Sequence, residues 1–306
     1  MMKMNWRNWR TSGRIAGLVA LSVFVAAAQT RPVARPGSVN YMEGLVTLNG
    51  QPVDRNAVGS REMSSGQVLA TTDGRAEVLL TPGVFLRLDH NSALRMVSPD
   101  LTDTVVELMN GRAMVEADWV AKENHLEIDT KGGQVVLEKN GLYEVNADKG
   151  TVATFDGKAT VMVDEHSVDV GRGRLFALTN NPKFKTEGFN RNAGDSLYAW
   201  SRLRSQYMAQ ASAESGRTVL VGGPYAFAGP GWFWNPWYDG WAFLPGDGFL
   251  WSPFGFGFWS PMYWGGYYGY GLGGYHGFYG GYRGTYGGFH GGMAGGFHGG
   301  GGGGRR

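Results

Sequence analysis

Six histidines are spread along the chain: His90, His125 and His166 in its first two thirds, and His276, His290 and His298 near its end. His90 directly follows Asp89 and serines are plentiful, so the ingredients of a Ser/His/Asp relay are present. Such a relay needs its base within hydrogen-bond reach of the nucleophile and an oxyanion site beside it. No Gly-x-Ser-x-Gly elbow or comparable local signature marks one. Asp164 and Glu165 are adjacent; in a strand they would point to opposite faces, which opposes shared acid–base work and reads as a solvated turn. The three late histidines lack the closed ligand spacing of a structural metal site. Gly171-Arg172-Gly173-Arg174 is followed by neither Gly-Lys-Ser/Thr nor a helix start, so it is not a phosphate loop. The chain has no cysteine, which removes thiol catalysis, disulfides and a lipobox anchor. The sequence thus predicts a protein that is not an enzyme and has no cofactor or bound metal.

The residues with most unassigned potential are aromatic. Gly229 to Phe243, GPGWFWNPWYDGWAF, carries four tryptophans in fifteen residues. After Ser215 lie 32 of the 51 glycines and 27 of the 41 aromatic residues, but only two acids, Asp239 and Asp247. The two parts of the chain are chemically different. A net charge of +2, without a Lys/Arg cluster interleaved with aromatics, argues against nucleic acid.

The elements that would position these residues can be read in order. Residues 1–28 read as a signal peptide: Lys3, Arg7, Arg10 and Arg14 form a basic region, Ile15 to Val25 an apolar stretch, and Ala26-Ala27-Ala28 a small-residue cleavage site before Gln29. The apolar stretch is shorter than the roughly 20 residues that cross a bilayer, so no stable membrane span is expected after cleavage. From Tyr41 to Thr179, β-branched and apolar residues alternate with polar ones, as in Gly44–Leu48, Ala76–Leu80 and Val84–Leu88. Turn dipeptides punctuate them at Asn49-Gly50, Asp73-Gly74, Pro82-Gly83, Asn110-Gly111, Asn140-Gly141 and Asp156-Gly157. About a dozen short strands follow from this pattern, in a sandwich, a barrel or a solenoid.

Asp195 is placed to cap an amphipathic helix over 195–214. Leu197, Trp200, Leu203, Tyr207, Met208 and Ala211 share one face, with Arg202, Ser205 and Gln206 largely elsewhere. The helix is expected to lie against the β-domain. Over 224–264 the sequence repeats with a 17-residue spacing: Trp234 aligns with Trp251, Pro236 with Pro253, and Gly240-Trp241 with Gly257-Phe258. Two copies suggest two similar turns or hairpins, each too small to bury its own rings. From 265 to 306 the chain is almost pure glycine and aromatic residues. Ordering it costs about 1 to 2 kcal/mol per residue with few aliphatic side chains to offset that, so disorder is expected.

Ser65 to Leu80, SGQVLATTDGRAEVLL, and the segments after it resemble the FecR domain. The matching features are Gly66, Leu69, Thr71, Gly74 to Leu80, Gly83, Val84 to Leu88 and Asn91-Ser92. They continue through Val106 to Val115, Leu126 to Thr130, and Val161 to Val170 with Gly171. Where the family carries Gly-Thr-x-Phe, this chain has Gly141-Leu142-Tyr143, which keeps the glycine and an aromatic but not the threonine. The resemblance covers 41–180. It implies an all-β, FecR-like domain of β-solenoid/sandwich type, followed by one amphipathic helix and a largely irregular Gly/aromatic-rich tail. In the family this domain is the periplasmic part of an anti-sigma regulator that receives a signal from an outer-membrane transporter. Only fourteen residues precede the apolar stretch here, so no cytoplasmic arm for a sigma factor is expected.

The resulting expectation is a non-catalytic exported binding, sensor or scaffold protein of the cell envelope, periplasmic or at the cell surface. Its partner would be an envelope protein or polysaccharide, with self-association a further option, and its candidate contact residues are Trp232, Trp234, Trp237, Trp241, Trp251, Trp259 and Trp264. The alternative is a structural or adhesive envelope protein whose rings self-associate or stack on sugars. Whether the rings pack on their own β-domain or face a partner stays open at the level of sequence.

Overall fold

The computed structural model describes residues 33–221 and 229–261. The expected signal peptide, Trp264 and the expected disorder over 265–306 lie outside the described residues. Short β-branched runs broken by glycine and asparagine fold into fifteen strands. They are β1 (Ser38–Leu48), β2 (Gln51–Pro52), β3 (Val68–Leu79), β4 (Val84–Leu88), β5 (Ala93–Pro99), β6 (Asp103–Asn110), β7 (Arg112–Ala117) and β8 (His125–Thr130). Then follow β9 (Gly133–Leu137), β10 (Gly141–Asn146), β11 (Thr151–Asp156), β12 (Lys158–Val163), β13 (His166–Gly171), β14 (Arg174–Ala177) and β15 (Thr186–Gly188).

All fifteen belong to one sheet, in the order β13-β12-β9-β8-β6-β5-β3-β4-β7-β10-β11-β14-β15, with β1 paired to β3 and β2 to β1. β6 and β8 pair in parallel. β3 divides the sheet into two wings, and the chain shuttles between them. From β4 it crosses to β5 and β6, returns for β7, crosses to β8 and β9, and returns for β10 and β11. It then crosses to β12 and β13 and comes back for β14 and β15. Asn110-Gly111 and Asp156-Gly157 are therefore wing-to-wing connections. Asp73-Gly74, expected as a turn, lies inside β3. There β1 and β3 bend together with Gly44 opposite Gly74. A Cβ on Gly44 would stand 1.9 Å from the Asp73 carbonyl oxygen, so this crossing requires glycine.

The wings share one apolar core. Val78, Leu86, Leu88, Val115, Tyr143 and Val152 on one side meet Leu94, Val106, Ile128, Val135, Val161 and Val170 on the other, all buried. In the β5–β13 wing, β5, β6 and β12 bury alternate residues, as a sheet with one wet face must. β4 is buried at every position and β7 at all but Arg112, so a second layer covers the outer face of that wing.

That layer is α1 (Ser196–Val221) and two hairpins, β16 (Gly231–Asn235) with β17 (Gly240–Leu244), and β18 (Phe249–Trp251) with β19 (Gly257–Trp259). Asp195 caps the helix, its Oδ1 accepting from the Tyr198 N–H at 3.0 Å. The hairpins fall on the two copies of the 17-residue unit, with one more residue in the second loop: Asn235 pairs with Gly240, whereas Trp251 pairs with Gly257. The helix face differs from its apolar periodicity. Leu197, Trp200, Met208 and Ala211 are buried, but Leu203 and Tyr207 are exposed, while Ser201, Arg204, Ser205, Ser212 and Ser215 are buried. The reason is the sheet beneath, which presents charged side chains and so selects a polar helix face. Among the described residues, no helix is long and apolar enough to cross a membrane.

Candidate functional site

The outer face of β3, β4, β7 and β10 alternates apolar and charged side chains. Leu79, Phe85, Met114 and Leu142 supply the apolar part; Glu77, Arg87 and Glu116 the charged part, all buried. The aromatic hairpins seat on the apolar part. Trp232 packs edge-on against Phe85 with ring centroids 5.2 Å apart, and Phe243 and Phe258 close around them at 5.8 Å and 6.2 Å. Trp241 stands edge-on to Trp234 at 5.5 Å and donates from its indole nitrogen to the Gly59 carbonyl oxygen at 2.8 Å. Nearer the helix start, Leu197 and Trp200 pack with Met114 and Leu142.

Charged groups tie the same layers together. Arg87 reaches Glu77 at 2.9 Å and Glu116 at 2.6 Å. Arg204 of the helix reaches Glu77 at 2.8 Å, and its guanidinium lies 4.0 Å from the Tyr41 ring centroid. Ser205 donates to Glu116 at 2.5 Å, and its oxygen accepts from the Ser252 hydroxyl of the second hairpin at 3.2 Å. Asn40 of β1 donates to Glu77 at 2.9 Å and accepts from the Trp241 N–H at 2.7 Å. Burial by itself would raise the Glu77 carboxyl, but the charges of Arg204 and Arg87 outweigh it and hold the group at about 2. Asp118, just beyond β7, is pushed the other way: burial first, then the neighbouring Glu116 charge, raise it well above the usual carboxylate range against the pull of Arg87.

A flanking network anchors the helix start. Asp89 accepts from Arg75 at 2.9 Å and from Arg112 at 2.7 Å, and Arg112 also pairs with Asp195. Burial would raise Asp89, yet these two guanidiniums hold it below its ordinary value.

The candidate contact tryptophans separate into groups. Trp232 and Trp241 are buried, and Trp234 is packed against the same cluster. Trp237, in the loop of the first hairpin, is 87% exposed, and Trp251 is 61% exposed beside Phe249, with ring centroids 5.7 Å apart. Trp259 lies 5.3 Å from Phe249 and is half-buried. The residues considered for chemistry are dispersed. Asp89 serves Arg75 and Arg112 rather than orienting His90, whose ring lies 3.9 Å from Asp73. His125 sits between Asp103 at 2.8 Å and Glu127 at 3.2 Å, and His166 stacks on Phe184 at 4.0 Å. Asp164 and Glu165 form the exposed turn between β12 and β13.

Sequence reasoning missed Glu77, Arg87, Glu116, Asp118, Arg204 and Ser205. A signal was present: in VFLRL (Val84–Leu88) and AMVEA (Ala113–Ala117), large apolar residues occupy both parities of the strand, the mark of burial on two faces.

Residues 67–160 match the family model described as FecR protein. The span includes Glu77, Arg87, Glu116 and Asp118; α1 and the hairpins lie beyond it. The chain has no significant match among curated proteins. Among solved structures it is similar to a candidate anti-sigma factor from Parabacteroides distasonis, seen in crystal structures at 2.50 Å and 1.65 Å resolution. Each has 17% sequence identity and a TM-score of 0.36, over 44% of this chain and 64% of that one. The chain thus spans less than two thirds of the length of these structures.

Proposed function

From the premise that this chain carries a FecR domain over residues 67–160, we propose that it is a non-catalytic sensor or scaffold of the cell envelope, exported by the segment 1–28. The domain match carries this reading. Its charged outer face is closed by α1 and the hairpins, so the surface offered to a partner is the rim of that cap, where Trp237 and Trp251 stand exposed. Exposed indoles at the edge of a packed layer suit an envelope protein, because tryptophan gives large contact area at low entropic cost. Crosslinking in intact cells tests the reading: a partner captured by the native chain should be lost from a Trp237→Ala/Trp251→Ala variant with unchanged thermal stability. A partner profile identical in both would remove the rim from the function, and turnover of a substrate in a broad hydrolase panel would end the non-catalytic reading.

The flatness and exposure of the same rings favour a second reading, in which they stack on the sugar faces of an envelope polysaccharide. Retention on purified cell-wall glycan that disappears in the double variant, without any protein crosslink, would select it.

A further inference from the structure

Beneath the cap, three carboxylates face two guanidiniums. Glu77 on β3, Glu116 on β7 and Asp118 just beyond β7 are buried with Arg87 on β4 and Arg204 on α1. If all five were ionised, the cluster would carry one uncompensated negative charge out of contact with water. Glu77 is engaged by both arginines and Glu116 by Arg87 and Ser205. Asp118 is the odd member. It is 2% exposed, and neither carboxylate oxygen receives a hydrogen bond. Its backbone is pinned: the N–H donates to the Gly83 carbonyl at 2.8 Å, and the C=O accepts from Asn140 at 2.8 Å.

A buried ionised carboxylate without a donor is strongly disfavoured, whereas a protonated one can donate to a neighbour. Glu116, two residues earlier near the end of β7, is that neighbour, its side chain being in contact with Asp118. We infer that Glu116 and Asp118 hold one proton between them, and that this proton allows the helix and aromatic hairpins to seat on the charged sheet face, so that its loss loosens the cap. The proton makes the cluster neutral, with two cations against two anions. Ser205, bonded to Glu116 and to Ser252 of the second hairpin, carries the effect directly into both parts of the cap. The remaining charges along this interface are Asp247, which lines a cleft with Trp119 and Phe243, Arg202 over the Phe256 ring, and Arg75, Asp89, Arg112, Glu144 and Asp195, which form the flanking network at the helix start.

The sign follows from linkage. Asp118 keeps its proton when folded at pH values where the unfolded chain has released it. Its contribution to stability is therefore greatest at or below the ordinary carboxylate range and falls as pH rises towards the raised value. Glu144 and Glu127 are also raised, burial being the largest cause for each, and add slopes of the same sign. Only substitution at Asp118 isolates its share.

The test is amide hydrogen exchange on the full chain across that range, corrected for intrinsic rates, in the native protein and in Asp118→Asn. Asparagine is isosteric and donates to Glu116 without a titratable proton. In the native protein, protection of α1 and β17 should fall by up to about tenfold per pH unit within the window, while β8 and β9 hold. Asp118→Asn should flatten the α1 and β17 profiles. Equal profiles in both proteins, or loss of α1 and β8 together, would overturn the inference. Should Asp118→Asn not fold, carbon NMR titration of the native Asp118 carboxyl decides instead: a transition in the ordinary carboxylate range refutes the shared proton.

Discussion

Arg204 on the helix and Glu77 on the sheet form an ion pair at 2.8 Å in an interface closed to solvent, and Glu77 simultaneously holds Arg87 at 2.9 Å. The helix is therefore attached through a charge that the sheet cannot leave unpaired. Such pairs contribute little over an apolar replacement of the same shape, but breaking one is costly because a buried charge is stranded.

Arg87→Met leaves Glu116 without a cationic partner and Glu77 with Arg204 alone. The expected loss is about 3–5 kcal/mol in urea denaturation. Combining Arg87→Met with Glu116→Leu should recover much of it, since Glu77 then keeps Arg204 and no carboxylate is left without its cation. A loss below about 1 kcal/mol for Arg87→Met alone would show that water reaches the cluster.

Glu77 sets the acid limb of stability. Its carboxyl is lowered from 4.5 to about 2 when folded. Its contribution is thus fully present above about 4.5 and is lost as pH falls towards about 2, on the order of 3 kcal/mol in all. Thermal melts between these values should show a steep acid slope in the native protein and a shallower one in Glu77→Gln. Parallel slopes would place the acid sensitivity elsewhere.

The strand pattern and the 17-residue aromatic repeat were legible because both are local: alternation marks a strand, and a repeated Trp-Asn/Ser-Pro unit marks a hairpin. The buried helix face was not. Ser205 and Arg204 read as polar positions in any helix, and they become interior only because Glu77 and Glu116 lie beneath them, a pairing 127 and 89 residues apart in sequence. Asp73-Gly74 misled for a related reason. A glycine needed for the close approach of β1 to β3 looks the same as one needed for a turn. Sequence also left open whether the rings pack inward or outward, since Trp232 and Trp237 differ in their surroundings and not in kind.

That difference gives a contrast between tryptophans of the same hairpin. Trp241→Ala removes a buried ring and its hydrogen bond to Gly59, and should cost about 3–5 kcal/mol. Trp237→Ala, in the exposed loop, should stay within about 0.5 kcal/mol. Chemical denaturation of the two variants side by side checks this, and equal losses would contradict the seating of the hairpin on the β-domain.

Gly59 is the point where the β-domain grips that hairpin. Its φ is +77°, its N–H donates to the Val39 carbonyl at 2.9 Å, and its own carbonyl accepts the Trp241 indole. A Cβ there would stand 2.1 Å from the Trp234 ring, so Gly59→Ala must displace the ring as well as strain the backbone. The expected cost is about 1–3 kcal/mol, concentrated on the cap. In proton NMR, exchange protection of the Trp241 indole N–H should be lost while amides of the shared core, such as Val115 and Ile128, keep theirs. If core and indole protection fall together, the hairpin and the β-domain unfold as one unit, and Gly59 is a determinant of the whole fold rather than a clasp for the cap.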